Sequence, residues 1–518
     1  MRGGVFLTRF NNILERMAQE RFKTRGGFIL ASVGAAVGLG DSLRFPGLCA
    51  KYGGGTFLLI YMIALALIGI PVLNAEIALG RKFRGGSPKC MAKLNKRAEP
   101  LGWASCFNSL IVALLYAGIL GWIIVMLIKI APLCSSATSM TRAETSGYFF
   151  TEVLGDKFSP LVFACIIAAW CIMFTFLRGG AGSLSRTARY TVIIPVVLLT
   201  FFAGRGLLYS NSGEALYALF VPDLSALGNA ELWLNAVGQV FFSLSVLVGI
   251  MPAYGAYLPE GTNVFGDSLI IAFSDFFISV LSSVVLFTTL YGCGLQGEIS
   301  QSGIVTAFMV YPAAITQVFG AGNVVANSVV GILFYASLGM MAAQSSVSMV
   351  EAAAAPLSEK FNLDKKKVVA VICLAGAAVC VVFASPVAAA ALDIADHFAN
   401  YFNILILGVA ECALLGAYAK KIKLAGEINL YSRRLKIAEK PLIFSLKYLS
   451  PAALSCLAVW GIIHLIFAEH GLYAGYPLWA QAAFGWLVSL IVFSSGFIIC
   501  GVRRGKKRRL VPLKMNKR

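Results

Sequence analysis

Apolar runs long enough to cross a bilayer recur along this chain, and the loops between them are alternately rich and poor in lysine and arginine. A spanning helix needs about 20 mostly apolar residues. Twelve segments meet that need, at about residues 27–49, 56–79, 105–131, 160–177, 190–208, 232–257, 268–292, 324–355, 368–384, 393–418, 451–467 and 478–502. The basic stretches are the N-terminal 25 residues, the loop from Arg81 to Arg97, the turn marked by Arg178, Arg186 and Arg189, Lys360 to Lys367, the loop 420–447 and the tail after Arg503. The loops 132–158, 209–230 and 296–323 are poor in bases. Bases concentrate on the cytoplasmic side of a membrane protein. Twelve spans with both termini inside is the simple arrangement that puts every basic loop on one side. The chain is therefore expected to be an all-α polytopic membrane protein.

Composition agrees, with 58% hydrophobic and only 13% charged residues and a mean hydropathy of +0.80. Soluble domains carry roughly 25% charged residues. The net charge of +19 does not point to nucleic acid, because the bases sit in loops between apolar runs. The 12 cysteines form no CxxC pair and are scattered through apolar segments, so they read as small hydrophobes. Three histidines, His397, His464 and His470, form no cluster. The polar, basic N-terminus does not look like a cleavable signal, and segment 1 is expected to direct insertion.

Segment 1 is not built merely to cross lipid. Its stretch Gly34–Pro46 reads GAAVGLGDSLRFP, with three glycines, an acid, a base and a proline. Glycine loosens a helix and proline removes a backbone donor. Freed backbone groups persist at membrane depth only where protein or a wet cavity satisfies them. Segment 6 is interrupted as well, around Val246 to Pro252, after the run Gln239–Ser245. The two breaks lie five segments apart, and an odd number of spans per unit inverts the second unit. Irregular segments at matching positions of inverted halves point to a transporter's central site. The halves are expected at 27–209 and 210–419, flanked by cytoplasmic segments 1–26 and 503–518, with 420–502 holding segments 11 and 12. Broken half-helices offer N–H groups to a carboxylate and C=O groups to a cation. An amino acid carries both charges.

The motifs AAVGLGDSLRFP (35–46), GGGTFLLIY (53–61), GIPVLNAEIALGR (69–81), LLYAGILGW (114–122), GQVFFSLS (238–245), QSSVSMVE (344–351) and LDIAD (392–396) resemble the neurotransmitter:sodium symporter family, in particular its bacterial, leucine-transporter-like members. The resemblance runs in order through segments 1 to 10; segments 11 and 12 match only as apolar spans. It implies a 5+5 inverted repeat with segments 1 and 6 broken. It also implies that the amides of Leu39 and Gly40, with the Tyr116 hydroxyl, hold a substrate carboxylate. Ala36, Phe242, Ser243 and Ser245 would hold the amino group, with Phe242 as an aromatic lid. Gly38 stands where amine-carrying relatives have an aspartate, which favours a substrate that brings its own carboxylate. Val112, Val248, Ser346 and Met349 would line an apolar side-chain pocket suited to a neutral aliphatic or aromatic amino acid. Arg44 and Asp396 would form an outer gate, with Asp393 as an alternative partner for Arg44.

The same resemblance places sodium at two sites, and this chain departs from the family at both. At site two the ligands would be Gly34, Val37, Met341 and Ser345, with Gln344 in place of a threonine. The Gln344 amide oxygen is able to ligate a hard cation. At site one Ala36 and Ser243 would be joined by Asp41 and Asp275, where the family has two asparagines. Two carboxylates beside a substrate carboxylate leave excess negative charge, so the expectation is a proton on one of them, alone or alternating with sodium. The competing reading is simply tighter sodium binding. Tyr61, Gln239, Ser243 and Ser279 match chloride-holding positions of animal members, but Asp275, one helical turn from Ser279, would supply a fixed negative charge; chloride is expected to be dispensable. At the inner gate the family's arginine and tryptophan become Gln19 and Phe22, Glu359 matches the acidic partner, and Arg16 or Arg21 could substitute for the arginine. A weakened inner gate is the expectation.

The function expected is secondary active symport of a neutral amino acid into the cell, coupled to sodium, by alternating access. Proton-coupled or sodium-independent transport through Asp41 and Asp275 is the alternative, and a non-transporting sensor on the same fold is a further one. No output domain, repeated ion filter, nucleophile–base set or metal cluster is evident, which disfavours a sensor, a channel and an enzyme. The base-poor loops contain no N-x-S/T sequon, which fits a bacterial inner membrane with both termini cytoplasmic. The partners expected are the substrate and membrane lipid, with no nucleic acid.

Overall fold

A computed structural model describes residues 21–136, 140–300, 302–320, 322–467 and 475–502. The inner-gate positions Arg16 and Gln19 lie outside the described residues, as do His470 and the tail from Arg503. The described residues form helices joined by short connections, with a single isolated β-bridge, Gly54 to Pro222.

Among the described residues, ten helices are long and apolar enough to cross a membrane, from Gly55–Phe83 to Leu478–Gly501. An eleventh is the bent pair Arg25–Ala36 and Gly40–Lys51, with an angle of 54° at the break. Segment 6 comes in two pieces, Ala230–Ser243 and Ile250–Ala256, separated by residues 244–249. Neither piece is long enough to be counted by length alone, so the described residues give ten to eleven candidate spans where the sequence suggests twelve.

Several helices outrun the apolar segments. Segment 3 extends over Lys96–Ser135 and segment 8 over Val324–Phe361, because polar helix ends project beyond the apolar zone. Arg186 and Arg189, expected in a turn, belong to the helix Gly180–Leu207; the turn is at Arg178–Gly179. The base-poor loops are partly helical too, at Arg142–Tyr148, Ser212–Phe220 and Tyr311–Ile315. The capping box of Thr141 and Glu144 starts the first of these.

Segments 1, 3, 6 and 8 pack together around the two breaks. Segment 8 runs along segment 3 for much of its length, with Ser109 Oγ donating to the Met349 carbonyl at 3.2 Å and Cys106 Sγ to that of Ala352 at 3.2 Å. Segment 2 is pressed against the second piece of segment 6. A Cβ on Gly80 would lie 2.1 Å from the Pro252 carbonyl oxygen, so only glycine permits this approach.

Candidate functional site

The break in segment 1 falls where glycine, acid and base cluster. The first helix ends at Ala36, and from Gly40 to Arg44 the chain makes a π-helical turn before helix resumes at Phe45 with Pro46 in its first turn. Pro46 has no amide to donate and follows directly on the widened turn, whose last bond runs from the Phe45 amide to the Gly40 carbonyl. The Asp41 side chain folds back and accepts from the Gly38 amide at 3.0 Å, satisfying a donor freed by the break.

Segment 6 breaks under greater strain. Ser245 and Leu247 adopt φ of 50° and 66°, a left-handed region that side chains disfavour. Two side chains hold this backbone. The Leu247 amide donates to Glu76 Oε1 at 3.0 Å, and Ser245 Oγ donates to the Ala35 carbonyl at 2.8 Å. Glu76 belongs to segment 2 and is wholly buried. Pro252, where the sequence suggested the interruption would end, sits within the regular helix Ile250–Ala256.

Between the breaks lies a cavity lined by residues from segments 1, 3, 6, 8 and 10. Of the expected substrate residues, Ala36, Gly40, Val112, Tyr116, Phe242, Ser245, Val248 and Met349 line it. Leu39, Ser243 and Ser346 do not; Ser346 Oγ instead donates to its own helix at the Ala342 carbonyl, 2.7 Å away. Gly38, singled out by the family pattern, lines it too, and Ser109, Phe241, Val246, Asn400 and Ile404 line it without having been anticipated. Asn400 was within reach of sequence reasoning, since it sits one helical turn beyond Asp396 and donates to its carboxylate at 2.7 Å. The free space is only about 20 Å³, little more than one water needs. Small-molecule pockets are roughly 300–1,000 Å³, so an occupant requires the walls to part.

The outer wall is aromatic and cationic. A Cβ on Gly40 would meet Phe242 Cε1 at 2.1 Å, so the absent side chain seats the Phe242 ring on the break. The Arg44 guanidinium lies over the Tyr401 ring at 4.6 Å and near that of Phe242 at 5.8 Å. Its charge also acts on the Asp396 carboxylate.

Beside the cavity, Asp41 and Asp275 are both buried. The Ser243 hydroxyl lies between them, bonded to Asp275 Oδ2 and close to Asp41 and the Tyr61 hydroxyl. Ser279 Oγ donates to Asp41 Oδ1 at 3.2 Å. Asp275 Oδ1, the Tyr61 hydroxyl and both polar ends of Gln239 are buried without a hydrogen-bond partner among the described residues. A buried acceptor of this kind costs free energy unless a cation or proton reaches it. The residues present therefore fit a cation at site one.

At the second expected cation site, Gln344 and Ser345 of segment 8 face the first piece of segment 1. A Cβ on Gly34 would lie 2.7 Å from Gln344 Cγ, and Ser345 Oγ approaches the Ala35 carbonyl at 3.5 Å. Ser42 Oγ contacts Met341 Sδ at 3.4 Å. The Gln344 carboxamide is buried, with its oxygen 2.9 Å from Thr191 Oγ and its nitrogen unpartnered, so it fits a cation held by oxygen ligands only with the amide turned end for end.

On the opposite side from Arg44, Glu359 pairs with Lys89 at 2.6 Å. Arg21 reaches Glu260 at 3.2 Å, and both side chains are exposed. Phe22 is buried, edge-on to Tyr254 and Tyr257 with centroids 5.7 and 6.1 Å apart, and its amide donates to the Tyr257 carbonyl at 3.0 Å. The Tyr257 hydroxyl donates to Glu351 Oε1 at 2.6 Å, and Lys365 reaches the Tyr257 hydroxyl at 3.0 Å and pairs with Glu351. Sequence reasoning missed Glu351 and Lys365, because nothing in their spacing says that they meet.

Comparison with known proteins gives a consistent answer. The model of the Sodium:neurotransmitter symporter family matches residues 19–136 and 151–507. An uncharacterized sodium-dependent transporter of Methanocaldococcus jannaschii is 28% identical over 504 residues, covering 93% of this chain and 98% of its own. The bovine sodium-dependent neutral amino acid transporter B(0)AT2 is 30% identical over 297 residues, but the match covers 53% of this chain and 41% of that longer protein. Among solved structures, MhsT in complex with L-phenylalanine superposes with a TM-score of 0.71 at 25% identity, covering 85% of this chain and 99% of that one. Ten to eleven apolar spans, two interrupted segments around one cavity and a family match over nearly the whole length lead to one conclusion: this multi-pass membrane protein belongs to the sodium:neurotransmitter symporter family.

Proposed function

We propose that the chain is a secondary active symporter that carries a neutral aliphatic or aromatic amino acid into the cell together with sodium. The observation that carries this reading is the cavity at the two breaks, with the Asp41–Ser243–Asp275 cluster beside it. The phenylalanine bound in MhsT and the neutral amino acid relatives support the substrate class.

In this reading the backbone amides of Leu39 and Gly40 and the Tyr116 hydroxyl hold the substrate carboxylate. The carbonyl groups of the breaks and the Ser245 hydroxyl receive the ammonium group. Val112, Val248 and Met349 contact the side chain, and Phe242 closes over it. Site one takes a cation through Ala36, Asp41, Ser243 and Asp275, and site two through Gly34, Val37, Met341, Gln344 and Ser345. Arg44, stacked on Tyr401 and drawn to Asp396, closes the outside. The Phe22–Tyr257–Glu351–Lys365 cluster closes the cytoplasmic side, in place of the Glu359 pairing suggested by the family pattern. Alternating access then opens one closure while the other holds.

The buried carboxylate pair favours one addition. Asp41 and Asp275 flank one hydroxyl, that of Ser243, in a buried site, so a proton and sodium alternate there, and Asp275 supplies the negative charge that makes chloride dispensable. Equilibrium binding of labelled neutral amino acids to the purified protein, with and without sodium, tests the function. Binding that rises with sodium and is lost in Gly40→Phe supports it; binding indifferent to sodium contradicts it.

A further inference from the structure

Thr191, on the helix Gly180–Leu207, is nearly buried at 5% exposure. Its hydroxyl lies 3.0 Å from the Thr187 carbonyl oxygen and 2.9 Å from the Gln344 carboxamide oxygen. A hydroxyl has one proton to donate, and a carbonyl oxygen only accepts. Both contacts cannot be hydrogen bonds while each neighbour presents an oxygen. A half-turn of the Gln344 amide removes the conflict without moving its other atoms. Its nitrogen then donates to Thr191, and Thr191 donates to Thr187. The opposite end, which as a nitrogen has no acceptor, becomes an oxygen. That side chain is fully buried against Gly34, beside Ser345.

We infer that Thr191 is a positioning residue of the second cation site: it holds the amine end of the Gln344 carboxamide and so turns the amide oxygen toward the ion. The inference rests on the proposed binding of sodium between segments 1 and 8. The energetics select this orientation. Either end of the amide would be costly when buried and unpartnered. A cation removes that cost for an oxygen and does nothing for an NH₂ group. Glutamine is longer than the threonine of the family pattern, so its oxygen needs an external hold, and segment 5 supplies it.

Equilibrium binding of radioactive sodium to the purified full chain tests this without relying on transport. Outer-shell partners of metal ligands typically contribute about 10–100-fold in affinity. Thr191→Val, which keeps the shape and removes the hydroxyl, is expected to weaken the second sodium about 10-fold or more. Thr191→Ser keeps the hydroxyl and is expected to restore near wild-type binding, which a packing defect alone would not do. Gln344→Leu is expected to lower the number of sodium ions bound by one, and adding Thr191→Val to it should change nothing further. Unchanged sodium affinity in Thr191→Val overturns the inference while leaving the proposed function standing. An equal loss from Thr191→Val in the Gln344→Leu background also overturns it, because Thr191 would then act independently of the amide. Failure of the wild-type chain to bind sodium overturns both.

Discussion

Replacing Lys365 with methionine removes one partner of the ion pair at the proposed cytoplasmic closure and keeps most of the side chain's length. Glu351 is 0% exposed and Lys365 only 12%. Removing one partner of a buried pair costs about 3–5 kcal/mol, because the other charge is left uncompensated. That cost is confined to the closed cytoplasmic face; when the face opens, water reaches Glu351. Taking the lower end, about 3 kcal/mol, and roughly 1.4 kcal/mol per tenfold change, closure weakens about 100-fold. Hydrogen exchange over residues 21–36 reads this directly, since the Phe22 amide is bonded to the Tyr257 carbonyl across the closure. Exchange there is expected to accelerate about 100-fold in Lys365→Met, as it follows the open population. Adding Glu351→Gln removes the stranded charge and leaves Tyr257 an acceptor, so most of the protection should return. Unchanged exchange in Lys365→Met, or a double variant no better protected than the single one, would refute the assignment of this cluster as the inner closure.

Other outcomes follow from the same geometry. In Gly40→Ala the new methyl group collides with the Phe242 ring; amino acid binding should fall roughly 5- to 160-fold, judged by a cost of about 1–3 kcal/mol for overpacking, with little change in thermal unfolding. Gly80→Ala drives segment 2 from the Pro252 carbonyl and should instead lower the unfolding temperature. Glu76→Leu strands the Leu247 amide, a loss of about 1–3 kcal/mol, and should raise proteolytic cleavage near the break in segment 6, whereas Glu76→Gln keeps the acceptor. Protonating Asp41 or Asp275 removes a charge that attracts sodium, so half-saturation should require more sodium as pH falls; the double change Asp41→Asn and Asp275→Asn should flatten that dependence, and an unaltered pH profile would end the proton reading.

The break in segment 1 was legible because it depends on local chemistry. Glycines, Asp41, Arg44 and Pro46 are improbable in a lipid-crossing helix, whatever surrounds them. The break in segment 6 was located less well. Pro252 drew attention, yet it fits a first helical turn, and the interruption at 244–249 is held by Glu76 and Ser245 through contacts made in three dimensions. Pairings across the sequence were the least visible. Lys89 with Glu359 and Thr191 with Gln344 join residues 270 and 153 positions apart. Charge pattern puts the loops of Lys89 and Glu359 on one expected side of the membrane without saying that the two touch, and it is silent on Thr191 and Gln344. The family pattern pointed to Glu359, and the pairing of Glu351 with Lys365 was equally invisible in the sequence. The short helices in the base-poor loops escaped notice because their polar and apolar residues do not form a span-length run.

The most direct measurement of the central proposal is uptake of a panel of neutral amino acids by proteoliposomes, with sodium and proton gradients imposed one at a time. An inward sodium gradient should drive an aliphatic or aromatic amino acid above its external concentration, and dissipating that gradient should abolish the accumulation. Saturable binding without accumulation under any gradient, or accumulation of equal size when sodium is absent on both sides, would contradict sodium-coupled symport.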